Sequence, residues 1–314
     1  MALFQRVYFN AVFGALGGLL GWMLFGLFGD KNPSSQRAFS ILTHEDLNLL
    51  LGGALIGGLI GYFVVAVDAI RDQSLPRFAR LASYGVVLGA LGGTLGMGLG
   101  DAVNYTLQNR LGGWLIAAMI ARGLGWSLLG IAIGASEGIA ARSLGKLSYG
   151  MLGGAIGGFI GGVLFELFNA LAKTSLTTTY FWNALGLTIL GACIGALSAF
   201  VQGVFQPACV RVVRGWQEGR EYPLDKAAVV LGRAEDADIA LFRDMKVEKT
   251  HATIRREGKR FVLVNAAAET RVNDAPVSAS RLLADGDRIQ LGNVILRFEL
   301  RAARVRTQRP RRGS

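Results

Sequence analysis

Six long apolar stretches, separated by short polar segments, fill the first two thirds of this 314-residue chain. An apolar run of about 20 residues is long enough to cross the hydrocarbon core of a bilayer as a helix. A single soluble domain cannot bury that much apolar surface, so the pattern predicts six transmembrane helices. They lie at residues 9–27, 47–67, 84–101, 123–141, 149–168 and 183–205.

The six stretches form three similar pairs. The odd-numbered ones share GALGG at 14–18, GALGG at 89–93 and GAIGG at 154–158, and the even-numbered ones share GALIGGLIG at 53–61, GIAIGASEG at 130–138 and GACIGALSA at 191–199. Glycines spaced by four lie on one helix face, and such faces let helix backbones approach closely in lipid. The repeat predicts three consecutive hairpins of glycine-zipper helices that also form a homo-oligomer. A pore lined by bare backbone is the alternative.

Four charged residues lie in or near the ends of these stretches: Asp101, Arg122, Glu137 and Glu166. An ionisable group inside a membrane is a candidate for function, but side chains close to an interface also reach water at little cost. Two interpretations remain open at this point. The charges are placed at the interface or pair helices with one another, or they serve transport or gating.

The distribution of basic residues predicts the orientation in the membrane. The N-terminus and the second and fourth loops carry six Lys and Arg, and the other three loops carry four. Because short cytoplasmic loops are enriched in Lys and Arg, we expect both termini on the cytoplasmic side of the inner or plasma membrane.

Candidate chemistry is sparse. The only cysteines are Cys193 and Cys209, which gives neither a disulfide framework nor a metal site, and no cofactor is expected. The segment GASEG at 134–138 matches the G-x-S-x-G pattern of hydrolases, but that pattern needs a strand-to-helix turn and here lies inside a predicted helix. We therefore expect a protein that is not an enzyme.

The pattern changes after residue 208. Short runs of alternating or β-branched residues recur about every 8–12 residues between turn sequences, which is typical of an all-β sandwich or barrel. This part also holds most of the +11 net charge, with 22 Lys and Arg against 14 Asp and Glu. The predicted organisation is a six-helix membrane domain at 1–208, a β-sandwich at 209–302 and a basic disordered tail at 303–314.

The β-rich part resembles the forkhead-associated (FHA) domain family over nearly its whole length. The motifs that carry the resemblance are VRVVRGWQEGREYPLD, LGR at 231–233, DIAL, VEKTHATI at 247–254, AAAET at 266–270, VND at 272–274 and the closing LADGDRIQLGNVILRFEL. The resemblance implies a β-sandwich whose loops at one end hold a phosphothreonine. It implies protein binding and signalling as the function, with a phosphorylated cytoplasmic protein as the partner.

The resemblance also implies which residues form the phosphopeptide site. The family's arginine after glycine corresponds to Arg233 after Gly232, its loop-bracing histidine to His251, and its loop threonine and later asparagine to Thr270 and Asn273. Two ligand-facing positions differ. Glu248 stands at the serine position, and Ala268 stands at the asparagine position of the N-G-T loop. Their neighbours Lys249 and Arg271 either restore positive charge or pair with Glu248.

These two departures bear directly on phosphothreonine recognition. A lost hydrogen bond to a charged group costs about 1.5–3 kcal/mol, and a carboxylate about 4 Å from a phosphate charge costs roughly 4 kcal/mol at an effective dielectric near 20. A micromolar complex is held by only about 8 kcal/mol. Either the domain no longer reads phosphothreonine in the usual way, or its site has been rewired.

The sequence therefore predicts a membrane-anchored signalling scaffold whose cytoplasmic FHA-like domain docks a protein. A channel or transporter regulated by that domain is the alternative. The last fourteen residues, 301–314, contain six arginines, so we expect the tail to contact anionic lipid, since each basic residue near such a surface contributes about 1 kcal/mol. Nucleic acid is a less favoured partner, because no base-reading motif accompanies the charge.

Overall fold

The computed structural model describes residues 3–28, 44–72, 75–111, 114–172, 179–216, 218–234, 237–241, 243–265 and 270–300. The chain divides into two compact units, a helical unit up to Val204 and a β unit from Phe205 onwards. The basic tail predicted at 303–314 and the predicted site residue Ala268 lie outside the described residues.

Six helices make up the described part of the helical unit: α1 (Leu3–Phe28), α2 (His44–Asp72), α3 (Leu75–Leu111), α4 (Leu115–Ala140), α5 (Leu144–Ala172) and α6 (Thr179–Phe205). Each overlaps one of the six predicted spans. By length and composition, each is long and apolar enough to cross a membrane.

The centre of the helical unit is filled by large apolar side chains of the three even-numbered helices. Its buried cluster comprises Ile56, Ile60 and Val64 of α2, Trp126, Leu129 and Ile133 of α4, and Leu187, Leu190 and Ile194 of α6. The odd-numbered helices α1 and α3 are less buried than these three. The even helices therefore form an inner bundle in the described part of the helical unit.

Each odd-numbered helix lies between two of the inner ones. Glycines meet backbone to backbone at four of these interfaces: Gly14 with Gly191, Gly93 with Gly53, Gly154 with Gly130, and Gly96 with Gly125. A Cβ atom added to any of these eight glycines would overlap the carbonyl group of its partner. Each odd-numbered helix contacts the second of its neighbours on its other side: α1 contacts Ile60 of α2, α3 contacts Gly125 of α4, and α5 contacts Ile194 of α6. The pairing of α1 with α6 closes the ring of helices.

The β unit is a sandwich of two sheets. Its strands are β1 (Ala208–Arg214), β2 (Glu221–Pro223), β3 (Ala228–Gly232), β4 (Ile239–Ala240), β5 (Ala252–Glu257), β6 (Arg260–Asn265), β7 (Thr270–Val272), β8 (Ala275–Pro276), β9 (Ser280–Leu282), β10 (Arg288–Leu291) and β11 (Val294–Leu300). One sheet has the order β2-β1-β11-β10-β7-β8, and the other has β4-β3-β5-β6-β9.

A single apolar core fills the space between the two sheets. Alternate residues of the strands point into it, so Val210 and Val212 of β1 and Leu296 and Phe298 of β11 are almost fully buried. The other sheet contributes residues such as Leu231, Ile254 and Leu263, which are equally buried. This alternation is the period of two that the sequence displays.

The strand registers place several loops at one end of the sandwich. Leu231 near the end of β3 pairs with Ala252 at the start of β5, which pairs with Asn265 at the end of β6. In the other sheet, Thr270 at the start of β7 pairs with Leu291 at the end of β10. The chain enters the sandwich at the end opposite these loops, where Ala208 at the start of β1 pairs with Leu300 at the end of β11.

Candidate functional site

Two of the loops at this end are joined through their backbones. The N–H of Arg233, just after β3, donates to the carbonyl of Glu248 at 2.8 Å, and the N–H of Ala234 donates to the carbonyl of Lys249 at 3.2 Å. Gly232 makes this contact possible, because a Cβ atom there would overlap the carbonyl oxygen of Lys249. The structure thus brings Gly232, Arg233, Glu248 and Lys249 together.

His251 holds the second loop from inside. Its side chain is 1 % exposed, its Nδ1 accepts the backbone N–H of Glu248 at 3.2 Å, and its own N–H donates to the carbonyl of Leu231. Burial lowers the pKa of His251, although the charges of Glu248 and Asp244 act in the opposite direction. The histidine is therefore a brace between β3 and the loop that carries Glu248.

Asp244 is a further member of this end of the sandwich, and the sequence analysis missed it. Its buried carboxylate accepts the backbone N–H of Lys246 at 3.1 Å and both the backbone and side-chain N–H groups of Asn293, at 2.6 and 3.2 Å. These bonds tie the loop before β5 to the β10–β11 turn. The sequence signal for such a residue is local: in turns, an aspartate side chain commonly accepts a hydrogen bond from the backbone N–H two residues later.

The guanidinium group of Arg233 has no carboxylate partner in the described part of the chain. Its Nη1 lies 3.3 Å from Sδ of Met245, and its buried Nε has no hydrogen-bond partner among the described residues. The Glu248 side chain is exposed. Over the same residues, its carboxylate forms no ion pair with Arg233, Lys249 or Arg271.

The remaining predicted site residues lie on β7 and in the turn after it. Thr270 is buried and Arg271 is exposed, and Arg271 points to the outer face of the six-stranded sheet. Asn273 and Asp274 have φ of 50° and 65° and form the two-residue β7–β8 turn. The Asn273 amide donates to Asp287 at 2.8 Å and accepts the N–H of Arg288 at 2.9 Å. The structure therefore gives Asn273 a turn-forming position.

Three of the charged residues of the helical unit form one ion-paired group. Arg122 of α4 lies 2.9 Å from the carboxylate of Asp101 on α3 and 3.5 Å from that of Glu166 on α5. The group therefore connects three neighbouring helices.

Glu137 belongs to a different polar group. It is buried and accepts a hydrogen bond from Gln202 of α6 at 3.0 Å, and Gln202 accepts one from Arg6 of α1 at 2.9 Å. The neighbouring Ser136 donates its hydroxyl to the carbonyl of Ile133 within its own helix. These contacts connect α1, α4 and α6.

Comparison with known proteins identifies the β unit. The chain is 36% identical over 128 residues to the glycogen accumulation regulator GarA of Mycolicibacterium smegmatis, which is 40% of this chain and 79% of GarA. It is 32% identical to an FHA domain solved in a study of phosphothreonine-dependent interactions, over 30% of this chain and 96% of that one. Through this unit the chain belongs to the FHA family. The FhaA FHA domain, solved in complex with an intracellular domain of another protein, is 33% identical over 29% of this chain and 99% of its own.

The TM-scores of the two solved FHA domains are 0.28 and 0.27, so the assignment depends on sequence identity and not on superposition. Residues 211–302 also match the family described as the cytoplasmic domain of an inner membrane component of T3SS. The predicted fold class, a six-helix apolar domain followed by an FHA sandwich, is confirmed. Together with the six helices, the matches indicate an inner-membrane protein with a protein-binding FHA domain.

Proposed function

We propose that this protein is a membrane-anchored scaffold whose FHA domain lies in the cytoplasm and docks a protein partner at Arg233. The role is one of binding and not of catalysis. The helices hold the domain at the membrane, and contacts of the basic tail with anionic lipid and homo-oligomerisation through the helices accompany this role. The partner presents an acidic segment, with an anionic side chain that reaches the guanidinium group.

The unpaired guanidinium group of Arg233 carries this proposal. A buried N–H without an acceptor costs about 1–3 kcal/mol, and the Nε of Arg233 is in that condition among the described residues. A carboxylate or phosphate oxygen from a partner would pair with the charge of the guanidinium group, and charge-assisted bonds of this kind are about twice as strong as neutral ones. The relative at 32% identity comes from a study of phosphothreonine-dependent FHA domain interactions, which supports an anionic ligand for this domain.

Glu248 shapes which anion fits. Its backbone is fixed by Arg233 and His251, so its exposed carboxylate stays beside the loop where the family has a serine. A phosphate carries roughly 1.5–2 negative charges at neutral pH and is repelled more strongly than a single carboxylate. We therefore expect only a small difference in affinity between a phosphothreonine peptide and the same peptide with aspartate or glutamate in its place. That difference should be smaller than the one an ordinary FHA domain shows.

Peptide titration of residues 208–302 tests the proposal. The sandwich has a core of its own, and a stretch of similar length makes up nearly the whole of the solved FHA chains, so it can be studied alone. Peptide libraries with phosphothreonine, aspartate or threonine at the central position are compared on wild type, Arg233→Ala, Glu248→Ser and the control Arg255→Ala. Arg255 is exposed on β5.

Loss of acidic-peptide binding in Arg233→Ala alone is the expected result. Glu248→Ser should strengthen phosphothreonine binding by at least tenfold, since removing a repulsion of even 1.4 kcal/mol has that effect. Equal binding of all three libraries, or equal losses in Arg233→Ala and Arg255→Ala, would contradict the assignment of Arg233 as the anion contact.

A further inference from the structure

The outer face of the six-stranded sheet carries a group of arginines, called here the arginine face: Arg211, Arg214, Arg271, Arg288 and Arg297. The flanking residues show that these side chains point outwards. Arg297 lies between the fully buried Leu296 and Phe298, and Arg288 precedes the fully buried Ile289. Because side chains alternate between the faces of a strand, the arginines share the face that lies opposite the core.

The register brings the arginines side by side. Arg297 of β11 lies directly opposite Arg211 of β1 on one side and Arg288 of β10 on the other. Arg271 of β7 pairs with Gln290, two residues along β10 from Arg288, and Arg214 pairs with Ile295 of β11. Directly opposed residues are about 4.5–5.5 Å apart, and diagonal ones about 7–8 Å. The face is therefore a compact basic array across four strands.

Acidic residues of the same sheet neutralise only one member of the array. Arg211 pairs with Glu221 and lies 3.7 Å from Glu299. Within the described residues, Arg214, Arg271, Arg288 and Arg297 form no ion pair. Like charges directly opposite on neighbouring strands are destabilising.

The other face of the sandwich shows that this charge is concentrated. The outer surface of the five-stranded sheet presents Val230, Val262 and Val264, all half-buried, and the exposed Leu282. Two arginines share that face, Arg255 opposite Val262 and the exposed Arg260 at the start of β6. The six-stranded sheet thus presents five arginines on its outer face against two on the outer face of the five-stranded sheet.

We propose that the arginine face binds the headgroups of anionic lipid at the surface of the membrane to which the chain is anchored. The array extends over four neighbouring strands, so it can contact several headgroups at once. The chain from the end of α6 at Phe205 to Arg211 is only six residues, which span at most about 20 Å even when fully extended. The first arginine of the face is therefore tethered close to the end of an apolar helix.

Two further observations favour lipid over nucleic acid. The outward residues that accompany the arginines on β1, β10 and β11 are Cys209, Val213, Gln290, Ile295 and Glu299, and none of them is an aromatic side chain on which a base could stack. In addition, β11 ends at Leu300, and the fourteen residues that follow it in the sequence contain six arginines. Both features suit a polybasic surface that contacts headgroup phosphates. Each basic residue near such a surface makes its own contribution to the binding free energy.

Vesicle binding of residues 208–300 tests this proposal without the tail. The probes are vesicles of phosphatidylglycerol mixed with phosphatidylcholine and vesicles of phosphatidylcholine alone, at several salt concentrations. The face variant is Arg214→Gln with Arg288→Gln and Arg297→Gln. The matched control removes three exposed arginines elsewhere, Arg255→Gln with Arg256→Gln and Arg260→Gln. Thermal unfolding verifies that both variants are folded.

Wild type should bind the phosphatidylglycerol vesicles with a strong dependence on salt and leave the neutral ones unbound. Each basic residue near such a surface is equivalent to about a fivefold change in affinity, so the face variant should bind roughly a hundredfold more weakly. The control should lose far less. Equal losses in the two variants, absence of vesicle binding by wild type, or tighter, face-dependent binding of duplex DNA at the same salt would each overturn the proposal.

Discussion

The backbone N–H of Glu248 donates a hydrogen bond to Nδ1 of His251, over a distance of 3.2 Å. A ring nitrogen that accepts leaves the proton of the neutral imidazole on Nε2. The bond uses the backbone of residue 248 and not its side chain. The loop therefore keeps its position whether residue 248 is the family's serine or a glutamate, and the ligand preference can change while the fold stays the same.

The stability of the FHA domain should fall as the pH drops below about 6.5, the pKa of an unperturbed histidine. Burial lowers the pKa of His251 in the folded state, so below this pH the unfolded chain binds a proton that the folded one does not. The contribution of the neutral His251 to the free energy of unfolding is fully present above the pKa of the histidine in the unfolded chain. It is lost as the pH falls towards the pKa of His251 in the folded domain. Its slope is at most about 1.4 kcal/mol per pH unit.

Urea unfolding of residues 208–302 at pH 7.5, 6.5 and 5.5 measures this effect. The control is His251→Gln, which removes the titrating ring and keeps every carboxylate. We expect the free energy of unfolding of the wild type to decline more steeply than that of the variant over this range. Parallel curves would show that His251 does not carry the pH dependence.

Gly232→Ala should destabilise the FHA domain and separate its two site loops. A Cβ atom at this position overlaps the carbonyl oxygen of Lys249, which is backbone and cannot rotate away. Overpacking of this kind costs about 1–3 kcal/mol. Denaturant unfolding gives the cost, and amide exchange at Arg233 and Ala234, whose N–H groups cross between the loops, reports the separation.

Gly219→Ala is the informative control for this substitution. Gly219 has a φ of 82° and nothing within 4 Å of an added Cβ atom, so alanine there meets backbone strain without a collision. We expect a loss of about 1–2 kcal/mol from the strain and unchanged exchange at Arg233. Faster exchange at Arg233 in both variants would mean that global destabilisation, and not the loop contact, explains the result.

The elements of this protein could be predicted from its sequence because their signals are local. Apolar runs mark the helices, alternation marks the strands, and ordered motifs such as LGR and VEKTH locate Arg233 and His251. Contacts between distant segments could not be predicted in this way. Asp244 and Asn293 are 49 positions apart, and no periodicity indicates that a turn aspartate will meet that particular backbone.

The helical unit illustrates the same limit. Aligning the GALGG and GAIGG motifs makes Gly89 equivalent to Gly154. In the structure, however, Gly154 contacts Gly130, and the corresponding contact with Gly53 is made by Gly93 and not by Gly89. The second repeat is therefore displaced by one helical turn. The sequence shows which helix faces are small or apolar, but which faces meet, including the closure of α1 on α6, depends on packing in three dimensions.

Arg122→Met should destabilise the helical unit by leaving Asp101 and Glu166 without their partner. Breaking a buried ion pair costs about 3–5 kcal/mol, and we expect less here because the Asp101 side chain is 35% exposed. Heating the full chain in mild detergent, with the folded fraction followed by size-exclusion chromatography, measures the change.

Neutralising the whole group tests the explanation for this loss. The triple variant Asp101→Asn, Arg122→Met and Glu166→Gln removes both unpaired carboxylates, so it should regain most of the lost thermal stability. A triple variant that is less stable than Arg122→Met would show that the acidic residues stabilise the helices independently of Arg122.

Gly130→Val should prevent the close packing of α4 against α5. The Cβ atom of any larger residue there overlaps the carbonyl of Gly154, and helix association in lipid depends on such close approach. Gly26→Val is the matched control, because an added Cβ atom at Gly26 has nothing within 4 Å. Limited proteolysis in mild detergent should cut the Gly130 variant rapidly between α4 and α5 and leave the Gly26 variant as resistant as wild type. Comparable cutting of both variants would mean that valine disturbs these helices through its low helix propensity and not through the interface.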